Sequence, residues 1–331
     1  MDQPMIPTIA TERLASLVKQ AEEYIDRSVA PKTQQAHASD FRLFRAWCET
    51  EQLTALPAIP QTVALYAAAL ANRTGINPKG DTAKLISAAT VVRYLASIAT
   101  VHRDAGYDSP CDSTIVKRTV KGIKNTKGVR SAGKSALMTD DLKSMLSALD
   151  TSSLKGARDS AILLVGHAAG MRRSEIVSLD FGDVDFVDQG MILTLRRSKT
   201  DQSGEGAEIG ISFGNNGTCP VRSLRRWIER SEIVEGPLFR KVDRHGGLHS
   251  TRLTGQSVAL VVKAACEAVG IDPSVYSGHS LRSGHATQAA ANGAAEHHVA
   301  EHLRHKSVAT TRRYFRRANL FTNNTSGRQG Y

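Results

Sequence analysis

The chain contains no run of about 18 consecutive apolar residues, so the sequence offers no transmembrane helix. Its first residues, MDQPMIPTIATE, lack the charged-then-apolar order of a secretory signal, and a cytoplasmic location is expected. Cysteine is scarce. Cys48, Cys111, Cys219 and Cys266 lie far apart with no CxxC pair, a spacing that suits neither a zinc finger nor a disulfide framework, so buried free thiols are expected. Ser280 lies in GHSLR and not in a GxSxG elbow that would raise a serine nucleophile, and no GxGxxG dinucleotide fingerprint is present, which weakens the serine-hydrolase and dinucleotide-cofactor readings. His298 and His302 stand four apart, as helical metal ligands do, but no HExxH motif, cysteine or second carboxylate run accompanies them. Neither a metal nor any other cofactor is expected.

What the chain has in excess is positive charge. Against 32 acidic residues it carries 43 Lys and Arg, a net +11, and that imbalance points to a polyanionic partner, nucleic acid before membrane. At 331 residues two domains are expected. Residues 11–124 read as successive amphipathic helices. Phe41, Phe44, Trp47 and Cys48 share one helical face, as do Val92, Leu95, Ile98, Ala99 and His102, while residues 75–80, GINPKG, carry loop chemistry. Residues 113–137 then hold Lys117, Arg118, Lys121, Lys124, Lys127, Arg130 and Lys134 without one acidic residue, the pattern of a segment that lies along a phosphate backbone. The expected division is a helical DNA-binding domain over 1–125, a basic linker over 126–135 and a second domain over 136–331.

In the second domain Thr139 or Asp140 is expected to cap a first helix, and a small-residue helix over residues 161–169 runs into Arg172, Arg173 and Glu175. GMILTLRRSKT alternates like a strand and ends near Lys199, which the pattern places at a hairpin tip, and residues 204–217 supply the returning strand. VRSLRRWIERSEI and TGQSVALVVKAACEAVGI read as amphipathic helices. The last segment, through His298, His302 and His305, reads as one helix with its histidines in a row, followed by a disordered TNNTSGRQGY.

The stretch GHSLRSGHA, residues 278–286, groups two histidines and an arginine between glycines. With Arg172, Lys199, His279, Arg282, His305 and Tyr314 set out along this domain, the reading that assembles best is phosphate chemistry, because two arginines can fork the nonbridging oxygens of a phosphodiester. In order and spacing, GMRRSE, SKT, HSLRS and LRHKSVATTRRY resemble the tyrosine recombinase (lambda integrase) family, and AWC, SPCDS and SGHS extend the likeness towards its Cre-like members.

The resemblance implies a mainly α fold with a small antiparallel sheet, in which a helical core-binding domain and a catalytic domain close as a C-shaped clamp on double-stranded DNA. It implies a catalytic set of Arg172, Glu175, Lys199, His279, Arg282, His305 and Tyr314. The arginines would clamp the scissile phosphate, Glu175 would orient Arg172, Lys199 would protonate the leaving oxygen, and Tyr314 would attack. Site-specific recombination through a 3′-phosphotyrosine and a four-way junction follows, carried out by a homotetramer on two sites with inverted recognition arms. The alternatives are a type IB topoisomerase and a non-cleaving DNA-binding protein of the same fold. For DNA contacts, Gln35, Arg93 and Gln256 sit on helices suited to a major groove, and Lys117, Arg118 and Lys121 on the basic run. Gly278 and Gly284 are expected to let the backbone approach DNA. Two departures stand out: Arg304 occupies the place before the histidine where the family usually has glycine, and the first domain is longer around residues 74–84.

Overall fold

The computed structural model describes residues 12–72, 74–75, 84–128, 133–196, 205–214, 217–321 and 324–329. The chain divides into two compact units, Met1–Ala132 and Gly133–Tyr331.

In the first unit the described helices are α1 (Glu12–Arg27), α2 (Pro31–Thr50), α3 (Pro60–Asn72), α4 (Ala88–Asp104) and α5 (Thr114–Lys127). Proline opens α2 and α3, where its missing N–H costs nothing and its fixed φ suits the first turn. Ser87 and Ser113 cap α4 and α5 by accepting from Thr90 N and Val116 N. α4 packs on α2 and α5 on α3, around Phe41, Phe44, Tyr66, Leu70, Leu95 and Ile98. The buried stripe of α4 runs through Val91, Leu95, Ile98 and His102; Val92, expected among them, is 37% exposed, because helical geometry turns it about 100° from Val91. His102 is fully buried, with Nδ1 donating to Ile98 O (2.8 Å) and Nε2 accepting from Ala58 N (2.9 Å). β1 (Thr74–Gly75) and β2 (Lys84–Leu85) form a short antiparallel ribbon around the expected GINPKG loop, whose residues 76–80 lie outside the described ones. α5 absorbs much of the basic run and ends at Gly128, whose φ of 72° suits glycine.

The second unit is built on α7 (Leu154–Ala168), buried at every position from Gly156 to Gly166. Such burial needs small residues: a Cβ at Gly166 would meet Ile176 Cδ1 at 2.7 Å. Before it comes α6 (Thr139–Ser147) and after it α8 (Arg173–Ser178). β3 (Val184–Val187), β4 (Gly190–Leu195) and β5 (Ala207–Ser212) form an antiparallel sheet in that order, Leu193 facing Val184 and Ile209. α9 (Pro220–Ser231) packs on α7 through Val221, Leu224 and Trp227, and Trp227 Nε1 donates to Leu238 O. Its arginines Arg222, Arg225 and Arg226 are exposed, on the face opposite Val221, Leu224 and Trp227. The hairpin of β6 (Arg240–Val242) and β7 (Leu248–Arg252) leads to α10 (Gly255–Ala268), α11 (Gly278–Ala291), α12 (Glu296–His302) and α13 (Val308–Ala318).

Several local expectations change. Met138, not Thr139 or Asp140, is the N-cap of α6, and the free N–H of Thr139 donates to Gln288 Oε1 on α11 instead. The last helix is broken between His302 and Val308, where Arg304 takes φ 56°, so His302 and His305 do not share a row. Thr325–Arg328, expected to be disordered, forms a 3₁₀ turn capped by Asn324. All four cysteines are free, and Cys48, Cys219 and Cys266 are buried.

Candidate active site

The site begins where α7 ends. Gly170 at φ 54° reverses the chain, Arg172 becomes the N-cap of α8, and Glu175 falls at the third position of that helix. A carboxylate there can reach back to the free N–H groups of the first turn. Glu175 does so: Oε2 accepts from Arg172 N (2.8 Å) and Oε1 from Arg172 Nη1 (2.5 Å). Burial pushes the Glu175 carboxyl upward, but the Arg172 hydrogen bonds and the Arg304 charge outweigh it and hold the group below its usual range.

Arg282, on α11, is 1% exposed. Its Nη1 donates to Gly170 O (2.7 Å) and its Nη2 to Leu303 O. Both partners are neutral carbonyls, and among the described residues no carboxylate forms an ion pair with it. Burial first, and then the charge of Arg172, lowers its pKa to about 10. Glu175 offsets part of this from a distance, but a buried cation without a direct carboxylate partner is costly, and an anion at this point would lower the cost.

His279 is the second residue of α11, and desolvation followed by the charges of Arg282 and Arg172 lowers its pKa. His305 is half-buried beyond the Arg304 turn; desolvation, then Arg282, Arg172, Arg304 and Arg313, push it down to about 4. Both imidazoles are therefore neutral at pH 7. His305 Nδ1 lies 2.7 Å from Oγ1 of the fully buried Thr311, which fixes the ring. One turn further along α13, Tyr314 stacks over His305 with centroids 6.3 Å apart and planes 11° apart. Tyr314 and Phe315 pack against Ala286, Val299 and Leu303, which seats α13 on α11. By contrast Tyr276 is buried, with its hydroxyl on Asp141 Oδ2 (3.3 Å).

Of the residues expected to act on the phosphate, the structure thus brings Arg172, Glu175, His279, Arg282, His305 and Tyr314 to one region. Lys199 lies outside the described residues, in the segment that joins β4 to β5. Arg304 folds onto Glu175, Nη2 to Oε2 at 3.1 Å. The second histidine of GHSLRSGHA, His285, serves the scaffold: it stacks on His302 at 4.5 Å and meets His167 edge-on. His302 in turn contacts Ala168 O at 3.0 Å, whereas His298 is exposed. The two glycines make room for protein. A Cβ at Gly284 would strike Leu137 O at 1.9 Å, and one at Gly278 would crowd Arg173 Cβ at 3.1 Å. Sequence reasoning missed Thr311, although its place one turn before Tyr314 was a usable signal.

The residues expected to contact DNA are spread over both units. Gln35 on α2, Lys117, Arg118 and Lys121 on α5, and Gln256 on α10 are exposed. Arg93 is half committed: its guanidinium pairs with the buried Asp40 and covers the Tyr94 ring at 4.6 Å.

Residues 135–320 match the model of the phage integrase family. An integrase/recombinase XerD homolog of Selenomonas ruminantium is 34% identical over 98% of this chain and 93% of its own length. Tyrosine recombinase XerD of Listeria monocytogenes is 26% identical over 88% and 89%. In fold the chain is similar to XerH site-specific recombinase bound to its difH substrate (TM-score 0.57, 18% identity, 81% of this chain and 70% of that one) and to a lambda integrase dimer on a core site (TM-score 0.55, 17% identity, 91% and 94%). These relatives carry Xer and lambda names; the Cre-like affinity read from AWC, SPCDS and SGHS is a finer statement than they bear.

Proposed function

Since the chain belongs to the phage integrase family, the tyrosine-type site-specific DNA recombinases, we propose that its strand transfer is carried by Arg172, Glu175, Lys199, His279, Arg282, His305 and Tyr314. The observation that carries this assignment is Arg282, a buried guanidinium with only carbonyl partners, beside the Glu175-held Arg172. Two such groups fit a phosphodiester in double-stranded DNA and stabilise the charge that grows on its nonbridging oxygens. His279 and His305, neutral at pH 7, hydrogen-bond that phosphate or pass a proton.

The phenolic oxygen of Tyr314 attacks phosphorus, a 3′-phosphotyrosine forms, and the bond to the 5′ oxygen breaks. Lys199 gives that oxygen its proton. A 5′ hydroxyl from the partner duplex then attacks the phosphotyrosine and restores both the DNA and the phenol. Two transesterifications conserve bond energy, so the scheme needs neither nucleotide nor metal. Exchange of two strand pairs through a four-way junction calls for four copies on two sites, each site with inverted arms. Gln35, Arg93 and Gln256 supply base contacts, Lys117, Arg118 and Lys121 phosphate contacts, and the protein works in the cytoplasm.

The test is to select duplexes by covalent capture from a library with randomised arms and spacer, then to mix two differently labelled copies with the protein. Recombinant strands and a junction intermediate are expected. Relaxation of supercoils at arbitrary sequence, without recombinant product, would contradict the proposal.

A further inference from the structure

One cation beside the site has no part in the scheme above. Arg304 stands directly before His305 with φ 56°, a left-handed conformation that an arginine keeps only when its surroundings hold it there. The side chain supplies that hold. Nη1 donates to His302 O at 2.8 Å, Nη2 donates to Glu175 Oε2 at 3.1 Å, and the side chain is 13% exposed. Its Nε is buried without a partner, so the two Nη contacts offset a desolvation cost as well as the backbone strain. An exposed glycine turn would need none of this.

The Glu175 carboxylate, 2% exposed, therefore serves two guanidinium groups. Its pairing with Arg172 alone would set one buried anion against the cation that must meet the phosphate, and in a desolvated site that attraction is strong. A second guanidinium on Oε2 divides the attraction. With Arg282 included, three arginines then face one carboxylate, and the site keeps an excess of positive charge. The neighbouring histidines do not supply that charge, since burial and the arginines together keep His279 and His305 unprotonated at pH 7. The same turn also aims the Leu303 carbonyl at Arg282 and leads into His305, so the Arg304 anchor bears on both.

We infer that Arg304 is a positioning residue for strand transfer: by sharing Glu175 with Arg172 it lets the carboxylate orient Arg172 without neutralising the site. The inference rests on the recombinase reading of the same residues. Its consequence is specific. Loss of Arg304 should slow the chemical step, where charge on phosphorus oxygens grows, and leave DNA affinity nearly unchanged.

Three variants separate charge from structure. Arg304→Met keeps bulk without charge, Arg304→Gly also frees the backbone of its strain, and Arg304→Lys keeps the charge. The substrate is a nicked duplex taken from the pool captured by the unaltered protein, and covalent complex is followed at saturating protein. Met and Gly should lower the rate about ten- to hundredfold with duplex affinity held, although Met, which keeps the strained backbone without its anchor, should melt lower than Gly, and Lys should recover most of the loss in rate. A duplex with a neutral methylphosphonate at the scissile position demands less positive charge, so on it the gap between Met and unaltered protein should narrow. A Met variant as fast as the unaltered protein, a Lys variant as slow as Met, or an equal loss on both substrates would overturn the inference. Should Met fail to fold, the Gly and Lys pair makes the same comparison. If the unaltered protein forms no covalent complex with any duplex, the recombinase reading falls and this inference with it.

Discussion

Two buried constellations, one in each unit, treat their polar groups in opposite ways. In the first, His102 uses both ring nitrogens, one as donor and one as acceptor, and the buried Asp40 takes both Arg93 and Ser97. Each group is satisfied within its own unit. In the second, Arg282 is as deeply buried as His102 but meets only carbonyls, the three arginines outnumber Glu175, and His167 Nε2 has no partner. Burial that is complete in itself stabilises a fold. Burial that leaves charge over favours an anion from outside.

The sharpest way to break this contrast is to remove the surplus charge. Arg282→Ala should lower covalent-complex formation by about 10³ or more, since one guanidinium that meets the transition state is lost. Its melting temperature should also fall, because the Gly170 and Leu303 carbonyls lose their donor and a large buried side chain is removed, but by less than the loss in rate, since a buried cation without a direct carboxylate partner goes with it. In the first unit the order reverses. Asp40→Ala should cost about 1–3 kcal/mol of stability through the hydrogen bonds lost at Arg93 and Ser97, read by denaturant unfolding, with the rate of cleavage at saturating protein unchanged.

Most of the candidate site was legible because each part lies in a short contiguous string: GMRRSE contains the arginine and the carboxylate that reaches back to it, and LRHKSVATTRRY contains His305 and Tyr314. What was hidden depends on contacts across distant elements. The stack of His285 on His302 joins α11 to α12, and nothing in either string announces it. The fate of Arg304 required a left-handed turn that residue type argues against. Val92 was misplaced by one residue on a helix with adjacent valines, and the β6–β7 hairpin escaped because RKV and LHSTR show almost no alternation.

A smaller effect sharpens the comparison from the side of pH. His167 and His305 are pushed down to about 4 and His285 to about 3, chiefly by burial. The unfolded chain therefore binds protons near pH 6.5 that the fold does not. The stability of the second unit should be fully present above that pH and fall as pH drops from about 6.5 towards 4 and below. Thermal melts across this window should show the slope, and His285→Phe, which keeps a stacking ring without a titrating nitrogen, should flatten it.

The central claim is that the phosphate drawn to the Arg172–Arg282 pair is attacked by the Tyr314 oxygen. A phenol with an ordinary pKa near 10 is a poor nucleophile at neutral pH, so the attack depends on this cationic site. Incubation with a nicked site duplex, followed by digestion and mass spectrometry, reads the outcome directly. The account predicts one 3′-phosphotyrosine on Tyr314 and a free 5′ hydroxyl, and no adduct in Tyr314→Phe, which loses only the oxygen. An adduct on Tyr276 or Tyr331, or any adduct in the Phe variant, would contradict it.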